Sequence, residues 1–127
     1  MISVPVDTFL KDLASANWTY CYHRVATADT NLEMIKADPS LLFGWSIFNN
    51  AAYPIFVKLM NTSLVTAPGA NRVHKTIGVA AGTNISQDVS SAIIFDRGLF
   101  ICITKLLPDN DVTPLVANDC VVDLHYR

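Results

Sequence analysis

Metal coordination is the first chemistry that the residue types of this sequence suggest. Cys21 and His23 are two positions apart, so on a β-strand their side chains share one face and could supply two of the ligands of a metal site. A structural zinc site needs four ligands, usually in closely spaced pairs. The remaining candidate ligands are isolated along the chain: His74, Cys102, Cys120 and His125. We therefore expect no metal site, and interpret Cys21 as a buried thiol next to a surface imidazole.

Two further patterns bear on catalysis and on calcium binding. The spacing of Asp109 and Asp111 matches the start of a calcium loop, but the glycine and the closing glutamate of that loop are absent, which favours a capped turn. The sequence has no Gly-x-Ser-x-Gly motif, no phosphate-binding glycine loop, and one glutamate, Glu33. We expect no enzyme, no catalytic residue, no cofactor and no cofactor-binding residue.

A row of aromatic residues suggests a possible carbohydrate-binding platform. Trp18, Tyr20 and Tyr22 alternate along one predicted strand, so their rings point to the same face. Aromatic rings in such a row either bind sugars, if they are exposed, or pack in a core. The sequence leaves both interpretations open.

Composition limits the class of protein. The 127 residues leave room for one domain, and 51% hydrophobic with 16% charged residues excludes a disordered chain. Nine Lys and Arg against eleven Asp and Glu give no basic excess, so we expect no direct binding to nucleic acid.

There is no apolar run of membrane-spanning length, and we expect no membrane partner. Residues 1–6 do not resemble a signal peptide and the three cysteines are an odd number, which indicates folding in a cytosol with free thiols.

The elements that must position these residues are predicted to be strands. β-Branched residues are plentiful and the chain has a single Gln, which favours strands over helices. Alternating apolar residues predict seven or eight short strands with frequent turn signals, a spacing typical of a single antiparallel β-sandwich. We predict a jelly-roll-like sandwich over residues 18–127, although an immunoglobulin-like strand order would give the same spacing. Residues 1–17 are predicted to be an N-terminal arm or a short helix.

The sequence predicts two hairpins. One joins residues 41–49, with Leu41, Phe43, Trp45 and Ile47 on one face, to residues 55–60. The other joins residues 92–95 to residues 99–105 through a three-residue loop that ends in a left-handed Gly98.

Two predictions concern burial. Residues 99–103 are apolar on both faces, so this strand is predicted to be the most buried segment and to be central or to lie against a partner. Lys58, flanked by Val57 and Leu59, is expected to point to solvent or to a partner.

Four stretches of the chain carry a family resemblance. They are residues 41–50 (Leu-Leu-Phe-Gly-Trp-Ser-Ile-Phe-Asn-Asn), residues 54–61 followed by Ala67-Pro68-Gly69, residues 76–83, and residues 98–104 followed by residues 109–113. In order and spacing, these strands and turns resemble a group of small all-β accessory structural proteins of tailed-bacteriophage virions. The resemblance covers about three quarters of the chain, from about residue 30 onward.

The resemblance implies a structural virion protein, namely a capsid decoration or cement protein that binds and stabilises the assembled phage head. The implied partners are the major capsid protein and further copies of the chain in a homotrimer, which would bury two-sided apolar strands by symmetry. The implied location is the capsid surface, after synthesis in the host cytoplasm. A phage tail or fibre module and a carbohydrate (receptor) binding module are the alternatives.

Overall fold

The computed structural model describes residues 19–64, 67–70 and 72–127. The predicted N-terminal arm or helix over residues 1–17, and Trp18, lie outside the described residues. Within the described ranges the chain forms strands and no helix, and therefore no helix long and apolar enough to cross a membrane. The strands are β1 (Tyr20–Val25), β2 (Glu33–Lys36), β3 (Ser40–Asn49), β4 (Ile55–Asn61), β5 (Lys75–Val79), β6 (Asn84–Phe95), β7 (Leu99–Thr104) and β8 (Cys120–Tyr126).

The strands form two four-stranded sheets that pack face to face. Sheet A has the order β1-β8-β3-β6 and sheet B the order β2-β7-β4-β5, and every neighbouring pair is antiparallel. Eight strands in these two orders form a jelly roll. The predicted all-β sandwich is confirmed, and the strand order distinguishes the jelly roll from an immunoglobulin-like arrangement.

The core lies between the two sheets, where alternate residues of the strands meet. All six residues of β7 are buried, which confirms the predicted burial of residues 99–103. In β8, Cys120, Val122 and Leu124 point into the core, as their alternation predicts. The core consists mainly of aliphatic side chains, among them Leu42, Ile47, Ile55, Val57, Leu59, Ile77, Val79, Leu99, Ile101, Ile103, Val122 and Leu124.

The outer face of sheet B is also buried at β4 and β7, as the two-sided apolar pattern of residues 99–103 predicts. Phe100 and Met60 are each 1% exposed, and Leu32 packs against them. Lys58 is fully buried, so the expectation that it points to solvent or to a partner is wrong. Its ammonium donates a hydrogen bond of 2.5 Å to the carbonyl oxygen of Pro108, in the loop after β7. The two-sided apolar strand is thus covered within one chain, and its burial requires no second subunit.

Both predicted hairpins are wrong, because the chain crosses between the sheets at each turn. β3 belongs to sheet A and β4 to sheet B, and β6 and β7 are divided in the same way. Gly98 is not among the described glycines with positive φ. A Cβ added there would lie 2.3 Å from the carbonyl oxygen of Thr62 and 2.9 Å from that of Lys36. A glycine is needed at this position because three backbone segments meet there and leave no room for a side chain.

The face predicted for β3 is also partly wrong. The register shifts between Leu42 and Gly44 against both neighbouring strands, which is a β-bulge. The extra residue brings Leu42 to the core side together with Trp45 and Ile47, whereas Leu41 and Phe43 are only partly buried.

Candidate functional site

The outer face of sheet A brings together ligand-type residues that are isolated in the sequence. Cys21 is the Cα partner of His125, and His23 is the Cα partner of Asp123. These four residues, called the histidine face here, alternate with the core-facing residues of β1 and β8. The amide of Ala26 donates to the carbonyl of Cys120, so by alternation the pairs of the histidine face are the non-hydrogen-bonded ones. Side chains approach most closely in such pairs.

One contact dominates the histidine face. Nδ1 of His23 lies 2.5 Å from Oδ1 of Asp123. The side chain of His23 is 61% exposed, so solvent weakens the electrostatic part of this contact. On the other side of β8, Ser46 is the Cα partner of Asp123, and its hydroxyl lies 2.8 Å from the hydroxyl of Ser86. Asp123 thus lies between the imidazole of His23 and Ser46. In a nucleophilic triad the imidazole lies between the carboxylate and the serine, so these three residues are not arranged as a triad.

The histidine face does not form a metal site as it stands. Within residues 19–64, 67–70 and 72–127, no three His, Cys, Asp or Glu side chains are grouped so that they could hold an ion. Cys21 is exposed, so its interpretation as a buried thiol is wrong: the N-terminal edge strand places it on the outer face.

The other candidate ligands lie in three separate places. His74 contacts the ring of Phe95 and the carbonyl oxygen of Ile94. Cys102 is buried on the outer face of sheet B, and burial raises the pKa of its thiol. Cys120 is buried in the core, and burial, followed by the nearby charge of Asp119, raises its pKa to about 11. Neither buried cysteine carries much thiolate at neutral pH, so neither is a ready nucleophile or ligand.

The predicted capped turn is confirmed at Asp111. Its carboxylate accepts hydrogen bonds from the backbone amides of Leu106 and Thr113 and from the hydroxyl of Thr113. Burial by itself would raise the pKa of this carboxyl, but the bonds from Thr113 and Leu106 and the charge of Lys58 outweigh it and lower the pKa. Asp109 instead accepts a long bond, 3.4 Å, from the amide of Val73.

The loop after β7 presents apolar side chains to solvent on a fixed backbone. In this segment, residues 105–116, which we call the apolar loop, the large exposed residues are Leu106, Leu107, Val112 and Val116. Their exposed fractions lie between 50% and 60%. The loop is held at its centre by Asp111, and at its end by a bond from the amide of Val116 to the hydroxyl of Tyr53. Binding residues are found on ordered surface loops more often than elsewhere, so this loop is a candidate contact surface.

The aromatic platform is not formed as carbohydrate binding would require. Tyr22 packs against the core, and burial, followed by the charge of Glu33, raises its pKa to about 12. Tyr20 is 59% exposed and contacts the ring of Tyr126. With Trp18 outside the described residues, Tyr20 is the one ring of the predicted row that the structure places in solvent.

Sequence reasoning missed the apolar loop, because its aliphatic residues follow no strand or helix period. The sequence did contain one indication of an exposed apolar loop: Leu106, Leu107, Val112 and Val116 lie close to Pro108 and Pro114. Proline excludes the segment from a sheet, so its apolar residues cannot all join a strand core.

No protein-family model matches the chain, and no curated protein is similar to it in sequence. Among solved structures, the chain is similar to one of Bacillus endospore appendages, described as a novel family of disulfide-linked pili (17% identity, TM-score 0.44, covering 85% of this chain and 82% of that one). It is also similar to PirA (11% identity, TM-score 0.43, covering 86% and 94%). A third is the Tobacco streak virus coat protein (9% identity, TM-score 0.35, covering 85% and 86%). At these identities and TM-scores, the similarities assign the chain to no family.

Proposed function

We propose that this protein is a non-enzymatic structural component of a virus particle, and specifically a decoration protein that binds and stabilises the assembled head of a tailed phage. The observation that carries the proposal is the apolar loop, in which Leu106, Leu107, Val112 and Val116 are at least half exposed on a hydrogen-bonded backbone. The resemblance of residues 41–113 to accessory virion proteins supports the same function.

The arrangement of the loop suits a permanent partner. Asp111, Lys58 and Tyr53 hold the backbone in place, so little conformational entropy would be lost on binding. Aliphatic side chains contribute to the free energy of binding when they are removed from water, by about 25 cal/mol for each Å² of apolar surface buried. We propose the major capsid protein as the partner, the capsid surface as the location after synthesis in the host cytoplasm, and a homotrimer as the state in which the chain binds.

Binding to purified heads tests the proposal. Heads that lack this chain should bind the purified protein to saturation and then resist heat or denaturant better than bare heads. Leu107→Asp should weaken binding at least tenfold, because it places a charge in the apolar contact. Ser91→Asp is the matched control, since Ser91 is exposed on β6, the edge strand of sheet A, whereas the loop follows β7 of sheet B.

Three results would contradict the proposal. Binding to tails but not to heads would make the chain a tail or fibre module. Equal binding by Leu107→Asp and Ser91→Asp would exclude the apolar loop as the contact. A lack of binding to any part of the particle would remove the structural function altogether. Sedimentation of the free and bound chain then tests the trimer separately.

A further inference from the structure

A cleft at one end of the sandwich is lined by two arginine residues and one aspartate. It has a volume of about 490 Å³ and is lined by Asn61, Arg72, Val73, His74, Asp96 and Arg97. The guanidinium groups of Arg72 and Arg97 form no hydrogen bond or ion pair with any residue that the structure describes, whereas that of Arg24 is paired with Glu33. Two unpaired guanidinium groups at one cleft stand out in a chain whose net charge is -2.

The backbone around these two arginines is held in place on both sides. The side-chain oxygen of Asn61 accepts from the amide of Arg97 at 2.9 Å, and its nitrogen donates to the carboxylate of Asp96 at 2.6 Å. In the same turn, the backbone of Gly98 lies so close to Thr62 and Lys36 that a side chain would not fit there. The turn that carries Arg97 is therefore fixed to the end of β4.

The opposite wall is ordered in the same manner. The amide of His74 donates to the carbonyl of Leu59 at 2.8 Å, and Nε2 of its ring lies 2.9 Å from the carbonyl oxygen of Ile94. Arg72, two residues before His74, also lines the cleft. The lining contains one carboxylate, Asp96, which accepts a hydrogen bond from Asn61 and forms no ion pair with either guanidinium group.

We propose that this cleft binds an oxyanion, a carboxylate or a phosphate group, between Arg72 and Arg97. A guanidinium group donates two parallel hydrogen bonds to such a group, and charge-assisted bonds of this kind are about twice as strong as neutral ones. Because the backbone of the cleft walls is hydrogen-bonded in place, less conformational entropy is lost when an anion binds. The cleft accepts one charged group and the residue or sugar that carries it. The site uses none of the exposed aliphatic side chains of the apolar loop, and the proposal does not rest on binding to a phage head; Asp109 of that loop accepts a bond of 3.4 Å from the amide of Val73 in the cleft wall.

Titration of the full chain followed by ¹H–¹⁵N NMR tests the site, with inorganic phosphate and succinate as the two probes. We expect the signals of Arg72, His74 and Arg97 to shift with one or both probes, and the affinity to fall with added salt. A response to phosphate alone assigns the site to phosphate groups, and a response to succinate alone assigns it to carboxylates. Unchanged cleft signals at millimolar concentrations of both probes would overturn the proposal.

Variants then separate binding in the cleft from general charge attraction. Arg97→Gln and Arg72→Gln should each weaken binding about tenfold or more, whereas Arg97→Lys should retain part of the affinity, because it keeps the charge and loses the planar pair of donors. Lys105→Gln removes one positive charge outside the cleft and should leave the affinity unchanged. If Lys105→Gln weakens binding as much as Arg97→Gln, the attraction is unspecific and the cleft is not a site.

Discussion

The ammonium group of Lys58, on β4, lies 2.5 Å from the carbonyl oxygen of Pro108, fifty residues further along the chain. Lys58 is completely buried, and its charge also contributes to the lowered pKa of Asp111 in the same loop. This one side chain therefore connects the outer face of sheet B to the apolar loop, and a single lysine contributes to the order of the proposed contact surface.

Replacing Lys58 tests this connection. Lys58→Met fills nearly the same volume and loses the bond, so we expect the free energy of unfolding to fall by about 1 kcal/mol. Lys58→Ala also leaves a cavity and should cost about 2–4 kcal/mol. Urea unfolding measures both, and hydrogen exchange should become faster at residues 105–113 in both variants. Unchanged exchange in this loop would show that Lys58 does not hold it.

Ile101, at the centre of β7, is fully buried between the sheets. Ile101→Asp places a carboxylate in an apolar site, and we expect a chain that does not fold, because an unpaired buried charge costs more than a domain of this size can lose. Circular dichroism and soluble yield report the outcome. Leu107→Asp, with the same new charge at a residue that is 60% exposed, should fold normally. A folded Ile101→Asp variant would contradict the central position of β7.

Gly98 and Gly82 should respond differently to alanine. At Gly98 a Cβ would meet two backbone oxygens, at 2.3 and 2.9 Å, so we expect Gly98→Ala to lower the free energy of unfolding by about 3 kcal/mol. At Gly82 nothing lies within 4 Å, but φ is +66°, so Gly82→Ala should cost only about 1 kcal/mol. Urea unfolding of the two variants gives the order, and a larger loss at Gly82 would contradict the close approach at Gly98.

The lowered pKa of Asp111 predicts a pH dependence of stability. Because the pKa is lower in the folded chain than in the unfolded one, the carboxylate stabilises the fold above its unfolded pKa of about 4. That stabilisation is lost as the pH falls through the folded pKa. Asp111→Asn should therefore be less stable than the wild type at pH 7, and the difference should shrink below about pH 4. A constant difference across this range in urea unfolding would mean that ionisation of Asp111 is not involved.

The three cysteines should differ in their reaction with alkylating reagents. Cys21 is exposed, whereas Cys102 and Cys120 are at most 2% exposed and have raised pKa values. At neutral pH the native chain should take up one label, on Cys21, and the unfolded chain three. Mass spectrometry of labelled peptides identifies the sites. Labelling of Cys120 in the native state at the rate of Cys21 would indicate that β8 opens.

The local alternation of residues determined the strands and the fold class. β8 shows this well, since Cys120, Val122 and Leu124 alternate with Val121, Asp123 and His125, and this period fixes which side chains enter a core. The apolar residues of β7 predicted its burial for the same reason. These patterns extend over a few residues, so they can be recognised in the sequence even when the pairing of the strands is not known.

Only the tertiary structure decided which strands pair and what covers them. Cys21 and His125 are 104 positions apart and lie side by side because β1 pairs with β8, and no local pattern contains that register. The predicted hairpins failed because, in a jelly roll, strands that follow each other in the chain enter opposite sheets. Lys58 was expected to point to solvent or to a partner, because the prediction used only its sequence neighbours, Val57 and Leu59. The loop that contacts its ammonium group comes from fifty residues away. Long-range pairing thus placed the histidine face, the apolar loop and the cleft that is lined by Arg72 and Arg97.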